Sequence, residues 1–302
     1  MAGFLAGKSI AITGAGSGIG RAIALACAAE GANIVVADYG VSLAGADPSS
    51  EVADAVVAEI EAGGGAAVAV AGDVAQFETG AAIVQAAVDA WGTIDGVVCV
   101  AGILRERMLF NMTEEDWDAV IAVHLKGHFN VYRHALALMR KQPGGGSLIG
   151  ITSGAFVAST AQPNYSAAKG GIVSLTRSAA MTAASVALRG GPVINANCIA
   201  PVARTRMSEN VPFEIETGEP GDIAPMAVFL LSDAGRAINA QVYTVVGRRI
   251  SVWSQPRELR SMFAPDERWT PGLIAERLPG TIGQEPNPFI ADLERRMKEM
   301  GS

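Results

Sequence analysis

Short apolar runs recur along the chain near residues 8–13, 33–37, 66–70, 94–100, 146–151, 193–198 and 241–246. Between them lie stretches with helical spacing of apolar positions, at 18–30, 51–62, 76–91, 113–141, 162–188 and 222–232. Strand and helix in strict alternation predict an α/β fold, a doubly wound parallel sheet of Rossmann type with helices on both faces. The loop from Gly40 to Ser50 is longer than such a connection needs. After Val252 the pattern changes: Pro256, Pro265, Pro271, Pro279, Pro286 and Pro288 break the tail into short pieces, while Trp253, Phe263, Trp269 and Phe289 give it something to bury. The chain therefore reads as one domain over 1–252 and an irregular extension over 253–302. Two roles stay open for that extension: wrapping its own subunit, or covering a neighbour's active site.

The first βαβ unit carries the clearest local chemistry. Ser9-Ile10-Ala11-Ile12 reads as a strand, Thr13-Gly14-Ala15-Gly16-Ser17-Gly18-Ile19-Gly20 as a turn, and the run from Ala22 as a helix. Glycines there permit a tight turn and let the backbone approach a pyrophosphate at the helix N-terminus. Asn33-Ile34-Val35-Val36-Ala37 is the next strand and ends on Asp38, 18 positions beyond Gly20. A carboxylate at that point accepts the adenine-ribose hydroxyls and repels a 2′-phosphate. Tyr39 follows it, position 17 is Ser, and the nearby Arg21 falls on the solvent side of the helix. NAD is expected rather than NADP.

A second constellation lies further on, at Ile151-Thr152-Ser153 and Tyr165-Ser166-Ala167-Ala168-Lys169. Four residues are one helical turn, so the phenol of Tyr165 and the ammonium of Lys169 share a face. A neighbouring positive charge lowers a Tyr pKa from about 10. A Tyr so tuned can exchange a proton with an alcohol near neutral pH.

Together these residues resemble the short-chain dehydrogenase/reductase family, over roughly Gly7 to Val252. The family's signposts fall in order: the Thr13–Gly20 turn, Asp73-Val74, Ala101-Gly102, then Ser153, Tyr165 and Lys169, then Pro201 and Thr205. The resemblance implies that Tyr165 is the general acid/base, that Lys169 binds the nicotinamide ribose and tunes Tyr165, and that Ser153 orients the substrate oxygen. It also implies cofactor contacts at Gly14, Ser17, Gly18, Ile19, Gly20, Asp38, Asp73, Val74, Ala101, Gly102, Pro201 and Thr205, besides Tyr165 and Lys169. Ser153 lies twelve residues before Tyr165, where the family more often has thirteen. A one-residue deletion between Phe156 and Gln162 accounts for this, which leaves Ser153 as the expected residue and Thr152 as the runner-up.

Two positions depart from the family. Its Asn-Asn-Ala-Gly is here Cys99-Val100-Ala101-Gly102, so amides that brace the strands around the cofactor are missing. The helix Asn that often completes a proton relay is His124. Ala101-Gly102-Ile103-Leu104-Arg105-Glu106-Arg107 and Val123-His124-Leu125-Lys126-Gly127 are similar to the hydroxyacyl-CoA dehydrogenase part of the peroxisomal multifunctional β-oxidation enzyme and its bacterial relatives. Ile199 to Met207, Gly221 to Pro225 and the long loop after Asp38 point the same way. The substrates this implies are (3R)-hydroxyacyl-CoA thioesters or steroid-like alcohols. The short segment from Met207 to Gly221 suggests an open cleft. Arg105 and Arg107 are candidate contacts for CoA phosphates, although loop arginines usually do nothing so specific.

Composition narrows the rest. At 302 residues, half of them hydrophobic, the chain can bury a large core. A net charge of −7 gives no support to nucleic-acid binding. No charge-free apolar run reaches membrane-spanning length, and the N-terminus lacks a basic-then-apolar signal. Cys27, Cys99 and Cys198 sit in predicted core elements and read as reduced thiols of a cytoplasmic protein. His124 and His128 are four apart, but no Glu, carboxylate or Cys completes a metal site, and no metal is expected. The reading is an NAD-dependent oxidoreductase of secondary alcohols, a homodimer or homotetramer. Its rivals are a reductase of acyl-carrier-protein thioesters or hydroxysteroids, and a nucleotide-binding scaffold or inactive partner subunit.

Overall fold

A computed structural model describes residues 3–41, 48–157, 159, 161–204, 217–265, 268–283, 289–291, 294, 295 and 298. The chain runs β1 (Ser9–Thr13), α1 (Gly18–Ala29), β2 (Asn33–Asp38), α2 (Glu51–Ala62), β3 (Ala66–Ala71), α3 (Phe77–Trp91) and β4 (Gly96–Cys99). It continues through α4 (Glu114–Val120), α5 (Gly127–Met139), β5 (Gly146–Ile151), α6 (Pro163–Leu188), β6 (Ile194–Pro201), α7 (Pro220–Leu231), β7 (Val242–Val246), β8 (Arg249–Val252) and α8 (Pro271–Arg277). Every strand predicted from the apolar runs forms. All pair into one sheet, in the order β3-β2-β1-β4-β5-β6-β7-β8. The first seven strands are parallel and β8 returns antiparallel along β7. β8 escapes the apolar pattern because Arg249-Ile250-Ser251-Val252 is short and largely exposed.

Alternate residues of each strand feed the two sides of the sheet. Ile12, Ile34, Val98, Ile149 and Ile199 bury against Ile23 of α1 and Leu230 and Leu231 of α7. Ala11, Val35, Val97, Leu148 and Ala196 bury against Ile83 of α3, Met139 of α5 and Ala180 of α6. This two-sided burial is why the strands read as continuous apolar runs. Strand order reverses between β1, which leads on to β2, and its other neighbour β4. A crevice opens at such a switch point, outside the carboxyl ends of the strands.

Three details matter below. The predicted helix over 113–141 is not one regular helix. A π turn over Ile121–Lys126 separates α4 from α5, and Gly127 N donates back to the carbonyl of Ala122. Cys99, Gly150 and Cys198 form one row across β4, β5 and β6. The Tyr132 hydroxyl fills the space over Gly150, 2.9 Å from where a Cβ would stand, and hydrogen-bonds Thr176 Oγ1 at 3.3 Å. α6 has 26 residues and a mean hydropathy of 1.3 over its most apolar window, so by length and composition it could cross a membrane. Lys169 and Arg177 interrupt it, so it holds no charge-free run of spanning length. It packs along β5 and β6 as a core helix.

The chain divides into two compact units, Met1–Trp253 and Ser254–Ser302. The second carries α8, whose N-terminus is capped by Thr270 Oγ1 accepting from Leu273 N at 3.3 Å.

Candidate active site

A cleft of about 780 Å³ lies over the carboxyl ends of the strands. It is lined by the Gly14–Gly20 turn and Asp38, by Asp73 and Val74, by Ala101 and Gly102, and by Ser153, Tyr165, Lys169 and Pro201. Thus one cleft brings together nearly all the residues read from the sequence. Thr205 and most of the segment after it lie outside the described residues.

The cofactor-like end is built by backbone geometry. Gly14 has φ +65, and a Cβ there would come 2.8 Å from the Ala101 nitrogen, so only glycine lets the turn lie this close to β4. Thr13 Oγ1 accepts from Val100 N at 3.1 Å and from Ala101 N at 3.3 Å. That hydroxyl braces the ends of β1 and β4, where the sequence reading finds bracing amides missing at Cys99-Val100. Ser17 precedes α1, whose first turn carries no acidic residue. The positive end of the helix dipole therefore faces the cleft uncompensated by carboxylates of its own, an arrangement suited to a pyrophosphate. Asp38 is pinned through both oxygens: Oδ2 accepts from Gly16 N and Oδ1 from Gly40 N, each at 2.7 Å. Arg21 turns away to pair with Glu59 of α2 at 2.7 Å. Asp73 Oδ1 accepts from Ala75 N at 2.9 Å, which shapes the turn after β3.

At the other end, β5 delivers Thr152 and Ser153, and α6 delivers Tyr165 and Lys169. Thr152 is buried and its hydroxyl donates to the Lys169 carbonyl at 2.8 Å. Ser153, not Thr152, is the hydroxyl that acts on the Tyr165 phenol, and its Oγ also accepts from Ala155 N at 3.3 Å. Lys169 Nζ donates to the Ile151 carbonyl at 2.7 Å and lies 5.2 Å from the centre of the Tyr165 ring. His124, also buried, meets the same ring edge-on at 5.2 Å.

The electrostatics correct one expectation. From sequence, Lys169 should lower the Tyr165 pKa. Instead burial pushes the phenol up to about 12, opposed by its bond to Ser153. Burial also pulls the Lys169 ammonium down to about 7, with a smaller opposing effect from Cys198. Spacing along a helix gives the neighbour but not the desolvation, and here desolvation wins. This has a consequence for stability. An unfolded Lys titrates near 10.4, so below pH 7 the folded protein bears the full cost of a buried charge. That cost fades as pH rises from 7 towards 10.4. Lys169→Met should therefore raise the melting temperature, relative to the parent, more at pH 6 than at pH 9. A pH-independent difference in paired thermal melts would contradict this.

A family model described as short chain dehydrogenase matches residues 8–214. The chain belongs to the short-chain dehydrogenase family. It is an oxidoreductase acting on CH–OH groups. It is 40% identical over 283 residues to the hydroxyacyl-CoA dehydrogenase ChsB1 of Mycobacterium tuberculosis, covering 88% of this chain and 86% of that one. It is also 40% identical, over 76% of its length, to the peroxisomal multifunctional enzyme type 2 of Mus musculus, of which it spans 30%. A solved short chain dehydrogenase from Mycobacterium avium superimposes with a TM-score of 0.81 at 39% identity, covering 94% of this chain and 98% of the other.

Sequence reasoning missed several residues that hold this cleft together. Asn164 Nδ2 donates to the carbonyls of Arg105 at 3.1 Å and Asp116 at 2.9 Å, and its Oδ1 accepts from Tyr165 N at 2.8 Å. It thus ties the loop after β4 to the residue that carries the phenol. A polar residue directly before Tyr165 in the first turn of α6 was the available signal. Arg107 Nε pairs with Asp116 Oδ2 at 2.6 Å and holds that carboxyl below the usual carboxylate range. Arg105 Nε stands 3.9 Å from the same carboxylate. Gln162 bonds Glu106 across the cleft mouth. The two arginines raised as candidate phosphate contacts both lie against Asp116, in line with the blander reading of loop arginines.

His124 lies in the π turn between α4 and α5. Its Nε2 lies 2.9 Å from the Ile103 carbonyl oxygen and 3.1 Å from the Ile103 nitrogen. Burial, aided by Lys169, holds its pKa well below the usual value. A neutral ring has one N–H, so Nε2 serves one Ile103 group and Nδ1 takes the opposite role. Nδ1 has no hydrogen-bond partner among the described residues. Among the described residues no group of three His, Cys, Asp or Glu is placed to hold a metal.

Proposed function

We propose that this dehydrogenase uses NAD to interconvert a secondary alcohol and a ketone, with (3R)-hydroxyacyl-CoA thioesters, including steroid-like ones, as its substrates. The observation that carries the reading is the convergence of the Tyr165 phenol, the Ser153 hydroxyl and Lys169 in a cleft whose other wall presents the pinned Asp38 carboxylate. The residues present fit a dinucleotide: Gly14 leaves room for close backbone approach, the α1 N-terminus suits the pyrophosphate, and Asp38 suits ribose hydroxyls. The bound nicotinamide supplies hydride transfer.

The chain's own groups handle the substrate oxygen and its proton. Ser153 holds that oxygen by a hydrogen bond and keeps it against the phenol. Tyr165, with a pKa near 12, is protonated at neutral pH. It is thereby ready to give a proton to a ketone oxygen, and alcohol oxidation gains as rising pH favours the phenolate. His124 Nδ1 is the uncommitted group from which the relay can continue. Beyond Ser153 a Cβ at Gly154 would touch nothing within 4 Å, which supports a bulky acyl part. The thioester class is supported by the activity named for the Mycobacterium tuberculosis relative, which matches most of the chain. The exposed Trp117, Phe129 and Met181 support assembly as a homodimer or homotetramer. Three buried free cysteines support a cytoplasmic setting.

The test is steady-state turnover with NAD on (3R)- and (3S)-hydroxyacyl-CoAs, the matching acyl-carrier-protein thioesters and free hydroxysteroids. The expected result is the highest kcat/KM on a (3R)-hydroxyacyl-CoA. Preference for a carrier-protein thioester or a free sterol would overturn the substrate class. Absence of turnover on every arm would overturn the reading as a whole.

A further inference from the structure

We propose that His128 is a positioning residue: its ring donor fixes the π turn that presents His124 to Tyr165. The inference rests on the relay reading of His124. A π turn is a rare insertion within a helix and persists where something holds it. Here Gly127 N donates to the carbonyl of Ala122, five residues back, the wide spacing of such a turn, and also to that of His124, three residues back. The His128 side chain bends back from the first turn of α5, and its Nδ1 donates to the His124 carbonyl at 2.6 Å. This is a short contact made in the protein interior, since His128 is 1% exposed.

The ring can serve this bond only from one tautomer. Burial, reinforced by Lys169, pulls the His128 pKa down to about 3, so the imidazole is neutral and has one N–H. That proton sits on Nδ1, the nitrogen that faces a carbonyl. Nε2 lies at the Cys99 backbone without a well-aligned hydrogen bond. The imidazole therefore spans from the π turn to the end of β4.

What it positions is tightly confined. A Cβ on Gly102 would stand 2.2 Å from His124 Cε1, so the His124 ring fills the space that glycine leaves. Its Nε2 meets the Ile103 backbone and its edge meets Tyr165. Should the turn relax to regular α-helix, each residue of shift would rotate the side chain by about 100° about the axis. The His124 ring would then leave Tyr165.

The experiment is a double-mutant cycle on the full chain, using the best substrate of the panel and measuring kcat, KM and NAD affinity. The variants are His128→Ala, His128→Ser, His124→Ala and each His128 variant combined with His124→Ala. His128→Ala should lower kcat about tenfold while KM and NAD affinity stay near the parent values. His128→Ser should recover most of the loss, because a Ser hydroxyl can bond the carbonyl four residues back. In the His124→Ala background both substitutions should cost nothing further. If His124→Ala alone turns over like the parent, the relay reading of His124 fails. If His124→Ala is slow, parent-like kcat in His128→Ala overturns the positioning role, as does an equal loss in both backgrounds. Should the Ala variant not fold, the Ser variant carries the test. A folded His128→Ser with tenfold lower kcat then overturns the proposal, and near-parent kcat upholds it.

Discussion

Tyr165→Phe should lose about 10²- to 10⁴-fold in kcat while folding normally and binding NAD as the parent does. Only the hydroxyl is removed, so the edge-on packing against His124 and the ring beneath Lys169 are retained. Ser153 would still hold the substrate oxygen, but no group would be left to exchange its proton. The size of the effect follows from the geometry. Two hydroxyls remain nearby: Ser153, which holds the substrate oxygen, and Thr152, which is committed to the Lys169 carbonyl. Neither is a substitute proton donor, because a Ser or Thr hydroxyl is a far weaker acid than a phenol. Turnover within a factor of a few of the parent, in a variant that calorimetry shows to bind NAD, would remove Tyr165 from the chemistry.

NAD should bind at least tenfold more tightly than NADP. The Asp38 carboxylate cannot easily swing aside from a 2′-phosphate, because the Gly16 and Gly40 amides grip its two oxygens separately. Two unit charges at 4 Å and an effective dielectric of 20 repel by about 4 kcal/mol, and partial solvent screening still leaves more than a factor of ten. Arg21, the nearest cation in sequence, is paired with Glu59 and does not offset the repulsion. Asp38→Asn should narrow the gap chiefly by improving NADP binding. Equal affinities for the two dinucleotides in the parent protein, read by calorimetry, would refute the assignment.

What could be read from sequence was chemistry carried by local geometry. The apolar runs are strands because both faces are covered. The Gly14–Gly20 turn is visible because glycines at a strand-to-helix junction have few other uses. Ser153 and Thr152 could not be separated by spacing alone, since both follow the end of β5 at Ile151 and only the tertiary structure shows which hydroxyl reaches Tyr165. The Asn164 bonds to the Arg105 and Asp116 carbonyls were hidden because they cross 59 and 48 residues, and the Arg107–Asp116 clamp because it joins a loop to a helix. The π turn was hidden for a different reason: Ile121 to Lys126 has the composition of ordinary helix, and the shift in register comes from packing. The Tyr165 acidity was misjudged because a neighbouring charge is visible in sequence and a dry surrounding is not.

The row formed by Cys99, Gly150 and Cys198 also bears on how the protein withstands oxidants. Two strand spacings place the outer Cα atoms roughly 9–10 Å apart, beyond the reach of about 7 Å that a disulfide tolerates. The Tyr132 hydroxyl occupies the ground between them over Gly150. Burial raises both thiols, Cys198 to about 11 and Cys99 further still, so neither offers a thiolate to peroxide at physiological pH. Cys27, buried on α1 and raised to about 12, is equally inert. The folded enzyme therefore carries its cysteines as small apolar fillers and can be kept in air without a reducing agent, whereas an unfolded chain would expose three reactive thiols at once.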